Sequence, residues 1–329
     1  MTKILGMGNA LVDIMTKLED DSILEKFNLP KGSMQLVNEA TVDKITKGTT
    51  HLQKSQSSGG SAANTIHGLA KLGIETAFIG KVGKDDFGDF FRDDLIKSKI
   101  TPELSLSDNE SGCAIALISP DSERTFGTFL GAAVELAAED LEKFDFSKYN
   151  YFHIEGYLVQ NHKLLEKALH LAKENGLIVS LDLASYNVVE DNLEFLHKMV
   201  KEYVDIVFAN EEEAKSFTGK EPEESLIHLG DICDIAIVKI GEKGSMIKRG
   251  NKVFKAGVID VTPIDTTGAG DLYASGFLYG MVNNLPLDKC GEIGAILSGR
   301  VIENTGAKLF DNQWDEIKVM IEGVVNGIN

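Results

Sequence analysis

Apolar residues in this chain fall in short runs separated by longer stretches with a helical period. Residues 4–7, 76–79, 151–154, 178–183, 206–209 and 235–240 are runs of four to six residues, rich in Ile and Val. Runs of that kind mark strands buried on both faces. Between them the spacing changes. In 162–175, Leu164, Leu165, Ala168, Leu169, Leu171 and Ala172 follow a helical period, and Gly176 supplies the left-handed residue that ends a helix. Strand and helix alternate along most of the chain. That order predicts an α/β fold, a mainly parallel sheet flanked by helices on both faces.

Two segments break the rhythm. Residues 14–50 hold a strand-like piece at 33–38 after a turn at Pro30-Lys31-Gly32. Residues 111–130 hold strand-like pieces at 113–118 and 124–130 around a turn at Pro120-Asp121-Ser122. The predicted core is therefore 1–13, 51–110 and 131–329, with 14–50 and 111–130 as hairpin-like additions. These additions either pair as one small sheet outside the core or are two unrelated surface excursions. There is no internal repeat and no low-complexity linker.

At 329 residues the chain makes one large domain or two, and with 43% apolar residues it can bury a sizeable core. Its formal net charge is −18, which repels nucleic acid and anionic lipid and excludes both as partners. A phosphate ligand must then be held locally, by backbone N–H groups, a metal or a few placed cations. Cys113, Cys233 and Cys290 have no paired spacing, which fits a reducing compartment and excludes a cysteine-rich zinc site. Asn9 and Asp13 interrupt the first apolar stretch too early for a signal peptide, and no stretch reaches the roughly 18 apolar residues of a membrane helix. The expectation is a soluble cytoplasmic protein, monomeric or homodimeric.

Four segments carry candidate chemistry. Asp265-Thr266-Thr267-Gly268-Ala269-Gly270-Asp271 precedes a helical stripe of Ala274, Phe277, Leu278 and Met281. Small residues ahead of a helix leave several N–H groups aimed at one spot, where the helix dipole also favours an anion. Asp271 faces the same spot, or else it is a plain N-cap of a Gly-rich turn. Ser58-Gly59-Gly60-Ser61-Ala62-Ala63-Asn64 opens another helix and allows close backbone approach, with Asn64 on the first turn; the competing reading is a tight loop capped by Ser61. At predicted strand ends stand Asp182, Asn210 and Gly241, sharing the sheet edge where open α/β folds bind ligands. Asn210 and Glu213 share a helix face and can hold the water shell of Mg²⁺, or they form a capping box. Gly241-Glu242-Lys243-Gly244 is a ligand loop or a simple turn between strands. Fourth, Gly6-Met7-Gly8-Asn9-Ala10-Leu11 partly matches a dinucleotide loop, but Leu11 replaces its third glycine. Asp13, just beyond, can grip a vicinal diol or is a solvated charge. There is no Walker loop, no His-Glu-x-x-His and no Gly-x-Ser-x-Gly elbow. The seven histidines are scattered.

Together these segments resemble the PfkB (ribokinase-like) family of carbohydrate and nucleoside kinases over nearly the whole chain. The stretch 59–88, with Phe78-Ile79-Gly80-Lys81-Val82-Gly83, and the stretch 265–276 look like its two signatures, and Asn210-x-x-Glu213 and Gly241-x-x-Gly244 follow in the expected order. Gly8-Asn9-Ala10-Leu11-Val12-Asp13, Glu123-Arg124-Thr125, Leu130-Gly131-Ala132-Ala133 and Ile154-Glu155-Gly156-Tyr157 are similar to bacterial adenosine-kinase-like members. The resemblance implies a ribokinase-like three-layer core with a small β-sheet lid over the substrate. It implies ATP as co-substrate with Mg²⁺, and transfer to the 5′-hydroxyl of a ribose-bearing molecule, adenosine first. Asp271 would take the hydroxyl proton, and the amides of Gly268, Ala269 and Gly270 would hold the transferring phosphoryl group. Asp13, Gly59, Gly60, Asn64 and Arg124 would bind substrate; Asn210, Gly241, Gly244 and Thr266 the nucleotide. Glu213 and Asn210 would position Mg²⁺ through water, and the Asp265 loop would sit beside a monovalent cation. A ribokinase- or fructokinase-like sugar kinase is the alternative. A nicotinamide-dependent oxidoreductase, suggested only by residues 6–11, and a catalytically silent homologue are more distant ones.

Overall fold

The computed structural model describes residues 2–121 and 123–327. Its strands along the chain are β1 (Lys3–Met7), β2 (Leu11–Lys17), β3 (Met34–Leu36), β4 (Lys54–Gly59), β5 (Glu75–Gly83), β6 (Ile100–Ser107) and β7 (Gly112–Ile118). Then follow β8 (Arg124–Phe129), β9 (Tyr151–Glu155), β10 (Ile178–Asp182), β11 (Ile206–Asn210), β12 (Ile235–Lys239), β13 (Ser245–Arg249) and β14 (Lys252–Ala256).

All six apolar runs enter one nine-stranded sheet of order β14-β13-β12-β11-β10-β9-β1-β5-β6. From β12 to β6 every pairing is parallel; β13 and β14 add an antiparallel hairpin at one edge. Successive side chains of a strand point to opposite faces. Leu5 and Met7 accordingly pack with Phe152, Val179 and helix His162–Glu174, while Ile4, Phe78 and Phe208 pack with helices Ser61–Lys71 and Ala269–Val282. Apolar residues on both faces let helices cover both, which is the expected α/β fold in three layers. The outer strand β14 exposes Lys252 and Lys255, charges that discourage further strand pairing.

The two excursions contribute to one five-stranded sheet of order β3-β8-β7-β2-β4. It reaches further into the chain than 14–50 and 111–130. Residues 11–13 and 54–59, expected within the core, lie on β2 and β4, which pair antiparallel from Leu11↔Gly59 to Thr16↔Lys54. The physical reason is the alternation on β2, where Val12, Ile14 and Thr16 turn inward. Asp13 and Gly59 thus belong to the smaller sheet. The hairpin of β7 and β8 closes through Pro120 and Asp121; Ser122 of that turn lies outside the described residues.

Sheet order reverses around β1: β5 lies on one side, β9 on the other. Crevices outside the carboxyl ends of strands at such a switch point are where open α/β sheets bind ligands. The ends of β9, β10, β11 and β12 place Glu155, Asp182, Asn210 and Lys239 there. Among the described residues no helix is long and apolar enough to cross a membrane.

Candidate active site

A cavity of about 980 Å³ runs along that edge and between the two sheets. Asp13, Gly60, Asn64, Asn210, Glu213, Gly241, Gly244, Thr266, Gly268, Ala269, Gly270 and Asp271, twelve of the residues singled out from sequence, line it together. Gly59 stands behind Asp13, and Arg124 lines an adjoining cavity of about 570 Å³.

Helix Ala269–Val282 starts from Gly268, its N-cap, at φ +77°. A Cβ there would also lie 2.6 Å from that of Ala307, so the turn requires glycine. Asp271 is in the first turn but does not cap. Its Oδ1 accepts from Ser61 Oγ at 2.7 Å and its Oδ2 from Asn64 Nδ2 at 2.9 Å, while Thr65 Oγ1 donates to its carbonyl at 3.0 Å. Two helix openings are thereby joined through one carboxylate. Burial pushes that carboxyl up to about 6, against the hydrogen bonds of Asn64 and Ser61, which favour the charged form.

The second Gly motif opens helix Ser61–Lys71 differently from either expectation. Gly60 is the N-cap at φ +101°, with the Asn9 carbonyl packed where a side chain would stand, and Ser61 serves Asp271 rather than the helix end. Glu155, fully buried at the end of β9, accepts from Asn9 N at 2.9 Å, Asn9 Nδ2 at 2.7 Å and Ala62 N at 3.0 Å. It staples the loop after β1 to this helix. A Cβ on Gly8 would strike its carboxylate, and one on Gly6 would strike Ile66. Packing therefore accounts for the glycines that had suggested a dinucleotide loop.

Asp13 projects from β2 toward Gly59, whose missing side chain leaves room for its carboxylate. Burial pushes Asp13 up to about 7; Lys308 pulls it back and Asp271 across the cavity adds to the rise. Lys308 is itself held by Ser58 Oγ at 2.6 Å and Asp94 Oδ2 at 3.0 Å.

At the other end, Asn210 and Glu213 form a closed capping box. Asn210 N and Nδ2 donate to the two Glu213 oxygens at 2.8 and 2.7 Å, and Glu213 N donates to Asn210 Oδ1 at 2.8 Å. The capping reading and a wall position hold together here. Burial first, then repulsion from Asp182, pushes Glu213 up to about 7. Lys239 Nζ donates to Asp182 Oδ2 at 3.0 Å. Gly241 to Gly244 is the turn between β12 and β13, with both glycines at positive φ and in the cavity wall.

Among the described residues no group of three or more His, Cys, Asp or Glu forms a metal cage. Glu213 can accept about four hydrogen bonds and gives two acceptor positions to Asn210. Its remaining lone pairs suit the water shell of a Mg²⁺ held mainly by phosphate.

Arg124 departs from the expected free cation. Its guanidinium pairs with Asp265 Oδ2, both side chains being 9% exposed, and lies 3.3 Å from Thr267 Oγ1. Asp265 also accepts from Thr267 N, Thr267 Oγ1 and Gly306 N at 3.0, 2.7 and 2.7 Å. Those four contacts use its acceptor capacity. A monovalent cation at this loop would have to use carbonyl oxygens instead.

Sequence reasoning did not single out Ser61, Lys239 or Lys308 as site residues, and it met Glu155 only through resemblance. Lys239 had one available signal: a lysine closing an otherwise apolar strand beside a Gly turn.

The family described as pfkB family carbohydrate kinase matches residues 33–314. The fold is similar to that of a probable sugar kinase from Rhizobium etli CFN 42 (TM-score 0.86, 30% identity, 98% of this chain and 100% of that one). It is similar to an adenosine kinase from Sinorhizobium meliloti (TM-score 0.85, 30% identity, 97% and 99%). An uncharacterized sugar kinase of Archaeoglobus fulgidus is 27% identical over 249 residues, 73% of this chain and 96% of that protein.

Proposed function

We propose, for a chain that belongs to the pfkB family of carbohydrate kinases, that it moves the terminal phosphoryl group of ATP to the 5′-hydroxyl of a ribose-bearing small molecule, with adenosine as first substrate. The observation that carries this reading is a single cavity with Asp271 and the Gly268-Ala269-Gly270 turn between Asp13 on one side and Asn210, Gly241 and Gly244 on the other. Its volume of about 980 Å³ is large enough for a nucleotide and a small acceptor together.

Phosphoryl transfer asks the protein for alignment, charge stabilisation and a route for one proton. Asp271 takes the proton of the attacking hydroxyl, and Ser61 and Asn64 hold its two oxygens in place. The acceptor oxygen forms a bond to the γ-phosphorus as the bond to the bridging oxygen breaks, leaving ADP. The amides at the helix opening face the charge that spreads over the transferring oxygens. When bound, Mg²⁺ neutralises the nucleotide phosphates, beside Asn210 and Glu213. Asp13 accepts from the ribose diol, with Gly59 giving it room and Gly60 and Asn64 alongside. Thr266, Gly241 and Gly244 border the nucleotide. The five-stranded sheet acts as the lid, and the Arg124–Asp265 pair fixes it to the loop ahead of Asp271.

Adenosine is supported by 30% identity to the Sinorhizobium protein, and by Phe126 and Tyr157, aromatic wall residues suited to a planar base. A sugar acceptor is the second reading, supported by the Rhizobium and Archaeoglobus relatives. Purified protein with Mg-ATP and a panel of adenosine, other nucleosides, ribose and fructose separates them. ADP release with adenosine at the highest kcat/KM is expected; turnover of fructose or ribose alone overturns the nucleoside reading.

A further inference from the structure

Lys239 closes β12, and the mechanism above gives it no part. Its side chain is 17% exposed and donates to Asp182 Oδ2 at 3.0 Å. A Cβ on Gly270 would come 3.0 Å from Nζ, so the ammonium lies against the turn whose amides open helix Ala269–Val282. An ammonium has three N–H donors, and Asp182 takes one. Asp182 is anchored in turn by Ala184 N, which donates to Oδ1 at 2.9 Å.

The rest of the wall makes this lysine matter. Besides Asp13 at the acceptor end, the cavity is lined by Asp182, Glu211, Glu212, Glu213, Glu242 and Asp271. Among the described residues Lys239 is the one lysine or arginine lining it. Arg124, in the adjoining cavity, spends its guanidinium on Asp265. A polyphosphate entering this cavity meets carboxylates on most sides, in a protein of net charge −18. Burial pulls the Lys239 ammonium down, but Asp182, Glu213 and Asp271 outweigh it and the group is held above its ordinary value. It therefore stays a cation.

We propose that Lys239 is a catalytic residue whose ammonium donates to the non-bridging oxygens of the phosphoryl group in transfer, and that Asp182 is the positioning residue that aims it. The inference rests on the kinase reading. As the hydroxyl oxygen bonds to the γ-phosphorus and the bridging bond breaks, the hydroxyl proton goes to Asp271. The electron pair of the broken bond stays on the β-phosphate of ADP. Lys239 neutralises negative charge on the phosphoryl oxygens without exchanging a proton.

The competing role is structural: Lys239 neutralises a buried Asp182 and nothing more. Three variants separate the two, Lys239→Met, Lys239→Arg and the double variant Asp182→Asn/Lys239→Met, each checked for folding by its thermal transition. The measurements are kcat and KM for ATP, and calorimetric binding of AMP and of a non-hydrolysable ATP analogue. Lys239→Met is expected to lower kcat/KM for ATP and weaken the analogue, each about 10- to 100-fold, the loss of one charge-assisted contact. AMP affinity should stay within about twofold, since no terminal phosphate is involved. Lys239→Arg should keep analogue affinity, and the double variant should be as impaired as Lys239→Met. Analogue binding equal to wild type in Lys239→Met, or recovery in the double variant, would overturn the role. The double variant carries no unpaired buried charge, so it answers the question even where Lys239→Met does not fold. Binding is measured without any acceptor. Failure of the wild type to phosphorylate any acceptor would overturn the kinase reading separately.

Discussion

Asp13→Asn sets function against stability in one side chain. The carboxylate sits on β2 against Gly59, and burial holds its carboxyl up at about 7. Two effects follow. Each hydrogen bond from a diol hydroxyl to a charged carboxylate is worth about 1.5–3 kcal/mol. Asparagine keeps an uncharged acceptor, so kcat/KM for adenosine should fall about 10- to 100-fold, and the preference for adenosine over 2′-deoxyadenosine should shrink. Stability should move the other way. An acid whose folded value is raised binds its proton more tightly folded than unfolded. Its destabilising contribution is absent well below the unfolded value of 3.8, grows as pH rises toward about 7, and then levels off. Asparagine removes that contribution, so Tm should rise in the variant at pH 8 and match wild type near pH 3.5. In the wild type the same titration should appear in KM. Adenosine should bind more tightly as pH rises through about 7, and Asp13→Asn should lose that dependence. The assays are kcat/KM for both nucleosides from pH 6 to 9 and thermal melts at the two pH values. An unchanged nucleoside preference with no gain in Tm at pH 8 would show that Asp13 neither reads the diol nor carries the strain of a buried charge.

Two further outcomes are expected. Glu213→Gln should raise the Mg²⁺ concentration needed for half-maximal activity several-fold, because a neutral amide attracts the hydrated ion less; an unchanged titration would leave Glu213 with its capping role alone. Asp265→Asn weakens the buried pair with Arg124, and should lower both Tm and kcat while Arg124→Met gives a similar loss; because the two residues act as one contact, the double variant should fall little further, and strictly additive losses would refute the coupling.

Much of this site was legible in the sequence because backbone geometry governs it. Glycines before helices, an aspartate in the first turn and polar residues closing apolar strands are local patterns, and the six Ile- and Val-rich runs entered the main sheet, while the strand-like pieces at 33–38, 113–118 and 124–130 entered the smaller one. Residues joined only by the fold were harder. Ser61 and Asn64 meet Asp271 from about 210 residues away in the chain, and Lys308 reaches Ser58 from 250 away. Boundaries failed where pairing decided them: β4, with the sequence Lys-Ser-Gln-Ser-Ser-Gly, has no apolar signal and is a strand because β2 pairs with it. β13, Ser-Met-Ile-Lys-Arg, is buried along its first four residues, Lys248 among them, and β14 exposes Lys252, Val253 and Lys255, so neither shows a plain apolar run. Arg124 entered through the family resemblance, but its partner did not, since Asp265 reads locally as part of the Gly-rich loop.

The most direct measurement is single-turnover phosphoryl transfer from γ-labelled ATP to adenosine by wild-type protein and Asp271→Asn, mixed with excess enzyme and quenched on the millisecond scale. A general base contributes about 10²–10⁴-fold, so the variant's transfer step should slow by that factor while calorimetry shows ATP binding nearly unchanged. The wild-type rate should fall about tenfold per pH unit below about 6, as Asp271 takes up its proton, and the residual rate of the variant should lack that limb. A variant that transfers at close to the wild-type rate, or that keeps the same acid limb, would contradict Asp271 as the proton acceptor.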